Sequence, residues 1–595
     1  MRSNLGATLL KRTAGTILAV LTACALLGAD SPSVKQRVAI LPLTTPKNQP
    51  DLEQYGMGTM DTLIQALANV PEFVMIDRAR IEAILKEQQF GQTGLVDQQS
   101  AVAVGKIVGA QILVTGDLIK AGDNVRITAH FTDMSTGQII KSEVVTGPLS
   151  TIFDLMDQLA QKFIAAQGVQ ITQQQQQRVT AVTKATTNLN AYDLYLKGRN
   201  AYLIATVESW QEAIDLYQKA IDIDPKYALA YAGLGETYSS WGWQRETNSQ
   251  DAKTYYDKSL ENSQKAIELN PTLAEAHQAL AHTYQNMGKF QDAEVETRKA
   301  LEINPNYAEA YYTLWKLTDP DNPDNENIRK ALELKPDLIA AHNDLGIAYD
   351  NKGDLDAAIK EYQYVLNLVP RKANTHYNIG LVYKKKKMYD EAFDHFKQTA
   401  EITPDDPDAQ YQLGLIYRIR NQDDQAMASF KEAIRLKPNY AYAHYYLGIA
   451  YLNKQMYEDA LDAMGKALQS KDKDDDSNIH YFIGIINNKL KQPDKAMEAF
   501  QRAAEINPQD PDVFINIGNI YLDKEELDKA LETYRKVIEL KPDYANAYYN
   551  VGLVMVRMGK NAAAAEAYEY YLKYAPNADD AEQVRAKIKQ LRSGA

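Results

Sequence analysis

A recurrence every 34 residues constrains this chain more than any other feature. One copy reads Asp405-Asp406-Pro407-Asp408-Ala409-Gln410-Tyr411-Gln412-Leu413-Gly414-Leu415-Ile416-Tyr417, then a polar turn through Asn421-Gln422-Asp423-Asp424, then Gln425-Ala426 on to Leu436-Lys437-Pro438. Leu413, Gly414, Tyr417, Ala426, Phe430 and Ala433 keep helical spacing broken once, which predicts two short helices and a turn. Stepping along the chain lands on Pro336, Pro370, Pro404, Pro438 and, two units on, Pro508, Pro542 and Pro576. Gly346, Gly380, Gly414, Gly448, Gly484, Gly518 and Gly552 keep phase, as do Ala358, Ala392, Ala426, Ala460, Ala496, Ala530 and Ala564. Small residues at those two slots let paired helices approach, and a larger side chain is expected to cost ~1–3 kcal/mol by overpacking. Proline then stops the second helix, because it lacks an N–H and clashes with the preceding turn.

These anchors resemble the tetratricopeptide family from Ala191 to Ala578. The resemblance implies an all-α superhelix of about eleven repeats over 191–577, with a polar-faced capping helix over 578–595. Three places depart from the period. Repeat two ends at Pro271, 46 residues after Pro225, so an insertion is expected around Gly242 to Asp251, carrying Trp241 and Trp243 as a contact site or as packing. Repeat four holds Pro320 and Pro323 where its second helix should begin, so the stack should be least regular there. In repeat eight Asp474-Asp475-Asp476 replaces the proline.

At 595 residues the chain is too long for one core, and a repeat array accounts for most of that length. A formal charge of −13 makes nucleic acid a poor partner. Residues 1–29 read as an export signal: Arg2, Lys11 and Arg12 precede an apolar run from Thr16 to Ala23 that is too short to span a bilayer. Leu21-Thr22-Ala23-Cys24 resembles a bacterial lipobox, which implies lipidation of Cys24, a membrane anchor and an outer-membrane lipoprotein in the periplasm. The alternative is cleavage near Ala29 and a soluble exported chain. Cys24 is the one cysteine, so no internal disulfide is expected.

Between Val34 and about Gly168 strands and helices alternate. Strands are expected at Arg37–Leu43, Phe73–Ile76, Gln111–Gly116, Val125–Phe131 and Gln138–Val145, and helices at Gly58–Asn69, Ala79–Gln88, Ser100–Val108 and Ile152–Ala165. This predicts an α/β layer of four or five strands, the last ones antiparallel. Asp77-Arg78, Ile84-Leu85-Lys86-Glu87-Gln88, Gly94-Leu95-Val96-Asp97, Gly105-Lys106 and Gly109-Ala110 before a strand ending in Gly116 resemble the curli-secretion (CsgG-type) domain and the amino-terminal domain of TolB. Both are bacterial envelope modules, so the resemblance implies an envelope role for residues 34–170 and homo-oligomerisation through them. Secretion-channel relatives carry extra amphipathic hairpins that build a barrel, and the loops here leave no room for them. Residues 171–190, with glutamines from Gln173 to Gln177, read as a frayed helix end and a polar linker that lets the two halves reorient.

No metalloprotease pair, phosphate loop or nucleophile elbow is present, so no catalytic residue, metal or cofactor is assigned and no enzyme is expected. His277, His342, His376, His444 and His480 share one repeat slot, one repeat apart, too far for a common ion, and are expected to pack. One residue later stand Tyr377, Tyr411, Tyr445, Tyr481 and Tyr549, followed in three repeats by Asn378, Asn516 and Asn550. In the family these slots face the concave groove, so the resemblance implies that they hold an extended protein or peptide ligand. The alternative is that the tyrosines only pack helix on helix. Lys384 to Lys387 reads as a solvated turn. The function expected is an exported, lipid-anchored scaffold for protein partners in the cell envelope. The alternative is an accessory subunit of an envelope secretion or transport machine.

Overall fold

The computed structural model of the chain describes residues 35–593 except 47, 50–51, 77–80, 82–97, 205, 248–250 and 471–475. The export signal, Cys24 and all but Ile81 of the helix expected over Ala79–Gln88 lie outside the described residues. The chain divides into two compact units, with the boundary between Asp354 and Leu355.

The first unit opens with β1 (Gln36–Ile40), α1 (Glu53–Ala68), β2 (Phe73–Met75), α2 (Gln98–Ile107), β3 (Ile112–Ala121), β4 (Asn124–Asp133), β5 (Gln138–Pro148), α3 (Ile152–Ala166) and α4 (Gln173–Thr183). The sheet order is β2-β1-β3-β4-β5, with β1 parallel to both neighbours and β3, β4 and β5 antiparallel. Alternation along the central strands explains helices on both faces. Val38, Ile40, Ile112 and Val114 turn to α1 and α3, against Leu63, Phe73, Met156 and Phe163. Ala39, Leu41 and Leu113 turn the other way, to Val104 and Val108 on and beside α2.

Within the polar hinge expected at 171–190, residues Gln173–Thr183 form a docked helix. Thr172 caps α4 by accepting from the Gln175 N–H, and Gln175 answers by accepting from Thr172 N–H at 2.7 Å. Val179 and Val182 enter the core of the α/β layer, and the Thr180 and Thr183 hydroxyls both donate to Asp157 Oδ1 at 2.9 Å. Glutamine-rich composition hid a buried stripe of Val179, Val182 and Thr183.

This layer is also fastened to the first repeats. Tyr192, 5% exposed, sets its ring edge-on to Phe153 and donates its hydroxyl to Gly58 O at 2.5 Å. A Cβ at Gly58 would stand 2.6 Å from Leu196 Cδ1 and 3.0 Å from the Tyr192 ring, so a side chain there would have to displace both where α1 approaches repeat one. Further along, Asn306 donates to Val70 O and Phe73 O and accepts from Lys35 Nζ, and Val74 packs with Ala308 and Leu334.

Each repeat is a hairpin of helices A and B. In repeat seven Asp406 caps helix A (Pro407–Ile419) by accepting from Asp408 N–H at 2.9 Å, and helix B runs Asp423–Leu436. A Cβ on Gly414 would lie 2.5 Å from Phe430 Cε1, which is why the glycine phase persists. The A and B helices of repeats six and eight to eleven are Ala373–Lys385 and Tyr389–Ile402, Ala441–Asn453 and Tyr457–Gln469, Asp476–Lys489 and Pro493–Ile506, Pro511–Asp523 and Leu527–Leu540, and Ala545–Arg557 and Asn561–Tyr574. Ala581–Ser593 forms the closing helix, burying Val584 and Ile588.

The insertion in repeat two is mostly helix, not loop: helix A lengthens to Ala228–Thr247 and helix B to Lys253–Leu269. Trp241 packs on Tyr255 at 4.9 Å, while Trp243 is exposed. Repeat four is the short one, with a nine-residue helix B (Glu326–Leu334), and Trp315 Nε1–H donating to Asn322 O braces its turn.

Candidate protein-binding face

In repeats seven to eight, eight to nine and ten to eleven, successive A helices touch, so the A helices line the inner side of the second unit. All five tyrosines of the shared slot are half-buried there. Tyr377, Tyr411, Tyr481 and Tyr549 lie 5.8, 6.2, 5.9 and 5.5 Å from Phe396, Phe430, Phe500 and Tyr568, the rings that cover the glycines of their own repeats. Tyr445 packs on Tyr446 and Phe482 instead. One part of each ring therefore joins helix A to helix B, and the remainder stays accessible. Burial pushes the Tyr377 and Tyr411 phenols up, so both are neutral donors at ordinary pH.

The asparagines differ among themselves. Asn516 Nδ2 donates to Asp512 O on its own helix, and Asn550 Nδ2 donates to Asn519 Oδ1, which also accepts from Tyr534. Asn378 stands half-buried between Tyr377 and Ile379.

Beside Tyr377 the wall opens into a cleft of about 310 Å³ lined by Ala373, Asn374, Tyr377, Thr399, Thr403, Asp406 and Asp408. Burial raises the Asp406 carboxyl above the usual range. Asp406 and Asp408 were legible only as a helix start. The missed signal was recurrence, since Asp406-Pro407-Asp408 returns in phase as Asp510-Pro511-Asp512.

Of the four lysines after Tyr383, expected as a solvated turn, Lys385 and Lys387 are exposed while Lys384 and Lys386 are engaged. Lys384 and Lys385 end helix A of repeat six, Lys384 is half-buried and donates to Gln412 Oε1 at 2.6 Å, and Lys386 pairs with Asp356. The histidines brace the turns between repeats: Nε2 of His277, His342, His376 and His444 lies 3.1, 2.8, 2.9 and 2.9 Å from the carbonyl oxygens of Pro271, Pro336, Pro370 and Pro438. Among the described residues no three acidic, histidine or cysteine side chains group as metal ligands, and no helix is long and apolar enough to cross a membrane.

A family model for the TPR repeat matches residues 208–242, 351–387, 414–455 and 518–559, and further tetratricopeptide models match 263–295, 373–406 and 445–511. The model for the curli production assembly/transport component CsgG matches residues 21–130. The chain is a tetratricopeptide-repeat protein with a CsgG-type domain at its N-terminal end. A curated relative, "Putative adenylate cyclase 3" of Rhizobium meliloti (strain 1021), is 25% identical over 200 residues, which are 34% of this chain and 32% of that protein. The match thus spans about a third of the relative's length. Among solved structures, YrrB, described as a TPR protein with an unusual peptide-binding site, is 27% identical over 32% of this tetratricopeptide chain and 97% of its own, with a TM-score of 0.28. MamA is 26% identical over 28% of this chain and 95% of its own, with a TM-score of 0.26.

Proposed function

We propose that this tetratricopeptide protein is an exported, lipid-anchored scaffold of the bacterial envelope whose inner wall over repeats six to eleven receives an extended segment of a partner protein. The observation that carries this is the row of half-buried, accessible tyrosines beside an open cleft at Tyr377. Aromatic rings already held by packing offer contact area at little entropy cost. Tyr377, Asn378, Tyr411, Tyr445, Tyr481, Asn516, Tyr549 and Asn550 are the proposed contacts, and Cys24 the proposed lipid attachment. The envelope assignment draws on the CsgG-type domain and on the lipobox-like Leu21-Thr22-Ala23-Cys24. A form lacking residues 1–24 should retrieve protein ligands, and Tyr411→Ala with Tyr445→Ala should weaken retrieval. Unchanged retrieval would remove the groove from the mechanism. Cys24→Ser should release the chain from membranes, and a variant that stays bound would end the lipid-anchor assignment.

The second reading, an accessory subunit of a secretion or transport machine, is favoured by the CsgG match alone. Self-association through residues 34–170 would support it. A strict monomer at high concentration would count against it.

A further inference from the structure

We infer that repeats one to three carry an apolar edge, at the end where helix A turns into helix B, and that this edge rests on the lipid surface to which the chain is tethered. It builds on the lipid-anchor reading and adds which part of the anchored chain meets the bilayer.

Helices A and B are Leu189–Ile204 and Val207–Ile223 in repeat one, and Ala274–Asn286 and Phe290–Ile303 in repeat three. Hydrogen bonds set the three A helices side by side near this end. The Tyr202 and Ser240 hydroxyls lie 3.2 Å apart, and Asn286 Nδ2 donates to Ser239 Oγ at 3.0 Å. Just beyond those bonds come Leu203 and Ile204 at the close of one A helix, Trp243 about a turn past Ser239, and Phe290 at the start of the next helix B after Asn286. They are 67%, 65%, 54% and 58% exposed, and Val207, which opens helix B of repeat one, is exposed as well. A single exposed leucine is ordinary on any surface, whereas large apolar side chains at the same end of three consecutive hairpins make a patch.

The second unit finishes this end differently. Leu355, Tyr389, Tyr457 and Leu527, which open helix B there, are half-buried. The second residue of helix B takes a cation from the following repeat: Lys386 to Asp356, Arg420 to Asp390, Lys454 to Asp424 at 2.9 Å and Lys524 to Asp494 at 2.6 Å. Beside Phe290 the following helix A (Ala308–Thr318) has 11 residues, against 13 in repeat seven, so less of it reaches past the ring.

Two features make lipid the occupant. Indole, phenyl and branched aliphatic groups together are the side chains that settle at a bilayer interface. The charges among them are mixed, with Arg245 5.0 Å over the Tyr255 ring and Lys289 5.8 Å over the Tyr284 ring near Glu246 and Asp292, so the attraction is apolar and needs no anionic headgroup. The second feature is reach. Lys35 donates to Asn306, just past the end of helix B of repeat three, whereas Phe290 opens that 14-residue helix, about 21 Å away. Cys24 lies eleven residues before Lys35, which is up to about 40 Å of extended chain, enough to pass the length of the helix. Alone such a contact is weak and reversible, so Cys24 supplies retention and the edge sets orientation.

The test uses the chain without residues 1–29, which removes none of the described fold, and vesicles of brominated phosphatidylcholine, whose bromines quench indole fluorescence at contact range. Trp210 and Trp315 are buried and Trp241 is half-buried, so Trp243 is the reporter. Partial quenching is expected at high lipid, unchanged by added salt, and Trp243→Phe should remove most of it. Leu203→Ser with Phe290→Ser should weaken vesicle binding about tenfold. Ile506→Ser, at the closing end of helix B of repeat nine, should not. Melts followed by circular dichroism should be unchanged, because these positions are exposed. Absence of quenching, equal quenching in Trp243→Phe and parent, or quenching abolished by salt overturns the lipid contact. So does self-association that Leu203→Ser with Phe290→Ser removes, which would make a second copy the occupant. Release of Cys24→Ser from washed membranes without quenching of the shortened chain overturns the edge alone, and retention of Cys24→Ser with quenching overturns the anchor alone.

Discussion

The slot that carries Tyr377, Tyr411, Tyr445, Tyr481 and Tyr549 in the second unit holds Tyr195, Ala232, Gln278, Tyr312 and Asn343 in the first. There a member of the row is tied within the chain: Tyr312 donates to Asp344 Oδ2 at 2.6 Å, and Lys316 pairs with the same carboxylate at 3.1 Å. Those same repeats hold the α/β layer through Tyr192 and Asn306. In the second unit the row is mostly tyrosine and stays half-buried. One hairpin template thus serves two ends. Where slots answer each other, the repeats brace a domain of their own chain; where they are left accessible, they suit a segment from outside.

The largest effect that would break this contrast is expected at Tyr192. Tyr192→Ala removes a ring 5% exposed together with its bond to Gly58, at ~3–5 kcal/mol. If the layer and the first repeats are one cooperative body, hydrogen exchange should rise together over 53–68 and 189–204 while repeats six to eleven keep their protection. Exchange confined to 189–204 would mean that the layer is merely adjacent, and the contrast would fail.

The repeats were readable from sequence because each anchor has a local cause that recurs: glycine under a ring, alanine between helices, proline at the stop. The strands were readable for a similar reason, since Val38, Ile40, Ile112 and Val114 alternate against neighbours that point the other way. The docking of α4 was not. Only Val179, Val182 and Thr183 are buried there, in a glutamine-rich stretch whose composition describes its solvent side. The interface at Gly58 was equally hidden, because the reason for that glycine, Leu196, lies far along the chain. The Tyr row was legible as a series, but its partial use in packing depends on Phe396, Phe430 and Phe500, which belong to a different phase.

A smaller effect should separate the units by their turns. The left-handed residue between helices A and B is glycine at 288 and 353 in the first unit, with φ of 72° and 86°. In the second unit it is Lys387, Asn421, Gln455, Lys491 and Glu525, with φ between 56° and 61°, and Gly559. A side chain costs roughly 1–2 kcal/mol in that region, less for asparagine, and part of any gain from glycine is returned as unfolded-chain entropy. Lys387→Gly, Gln455→Gly and Glu525→Gly are each expected to stabilise the second unit by ~0.5–1 kcal/mol in urea unfolding, with Asn421→Gly near neutral. A lowered midpoint in the triple variant would show that these lysine, glutamine and glutamate side chains stabilise their turns by more than the backbone strain costs.

The smallest effect expected is on acid response. In repeat six, His376 Nε2–H donates to Pro370 O at 2.9 Å, so its Nδ1 is an acceptor, and His395 Nδ1–H donates to it at 2.9 Å with the His395 ring stacked on Tyr383. Burial, then the neighbouring His376, push His395 down to about 4 from the ordinary 6.5. Between those values the unfolded chain binds the proton more readily than the folded one, so this histidine's contribution is present above about 6.5 and is lost as pH falls toward about 4. In the first unit Glu236 and Glu275 run the other way: burial raises both carboxyls, so their contribution is fullest in acid and lost as pH climbs past 4.5. His282, pushed down to about 4 by burial and Lys316, opposes them there. Exchange over Tyr389–Ile402 should therefore quicken as pH is lowered from about 7 to about 5, after correction for intrinsic rates, and His395→Gln should flatten that slope. Equal slopes in parent and variant would mean that the paired rings do not sense protons, and Asp406, whose raised carboxyl predicts the opposite sign, could not account for the quickening.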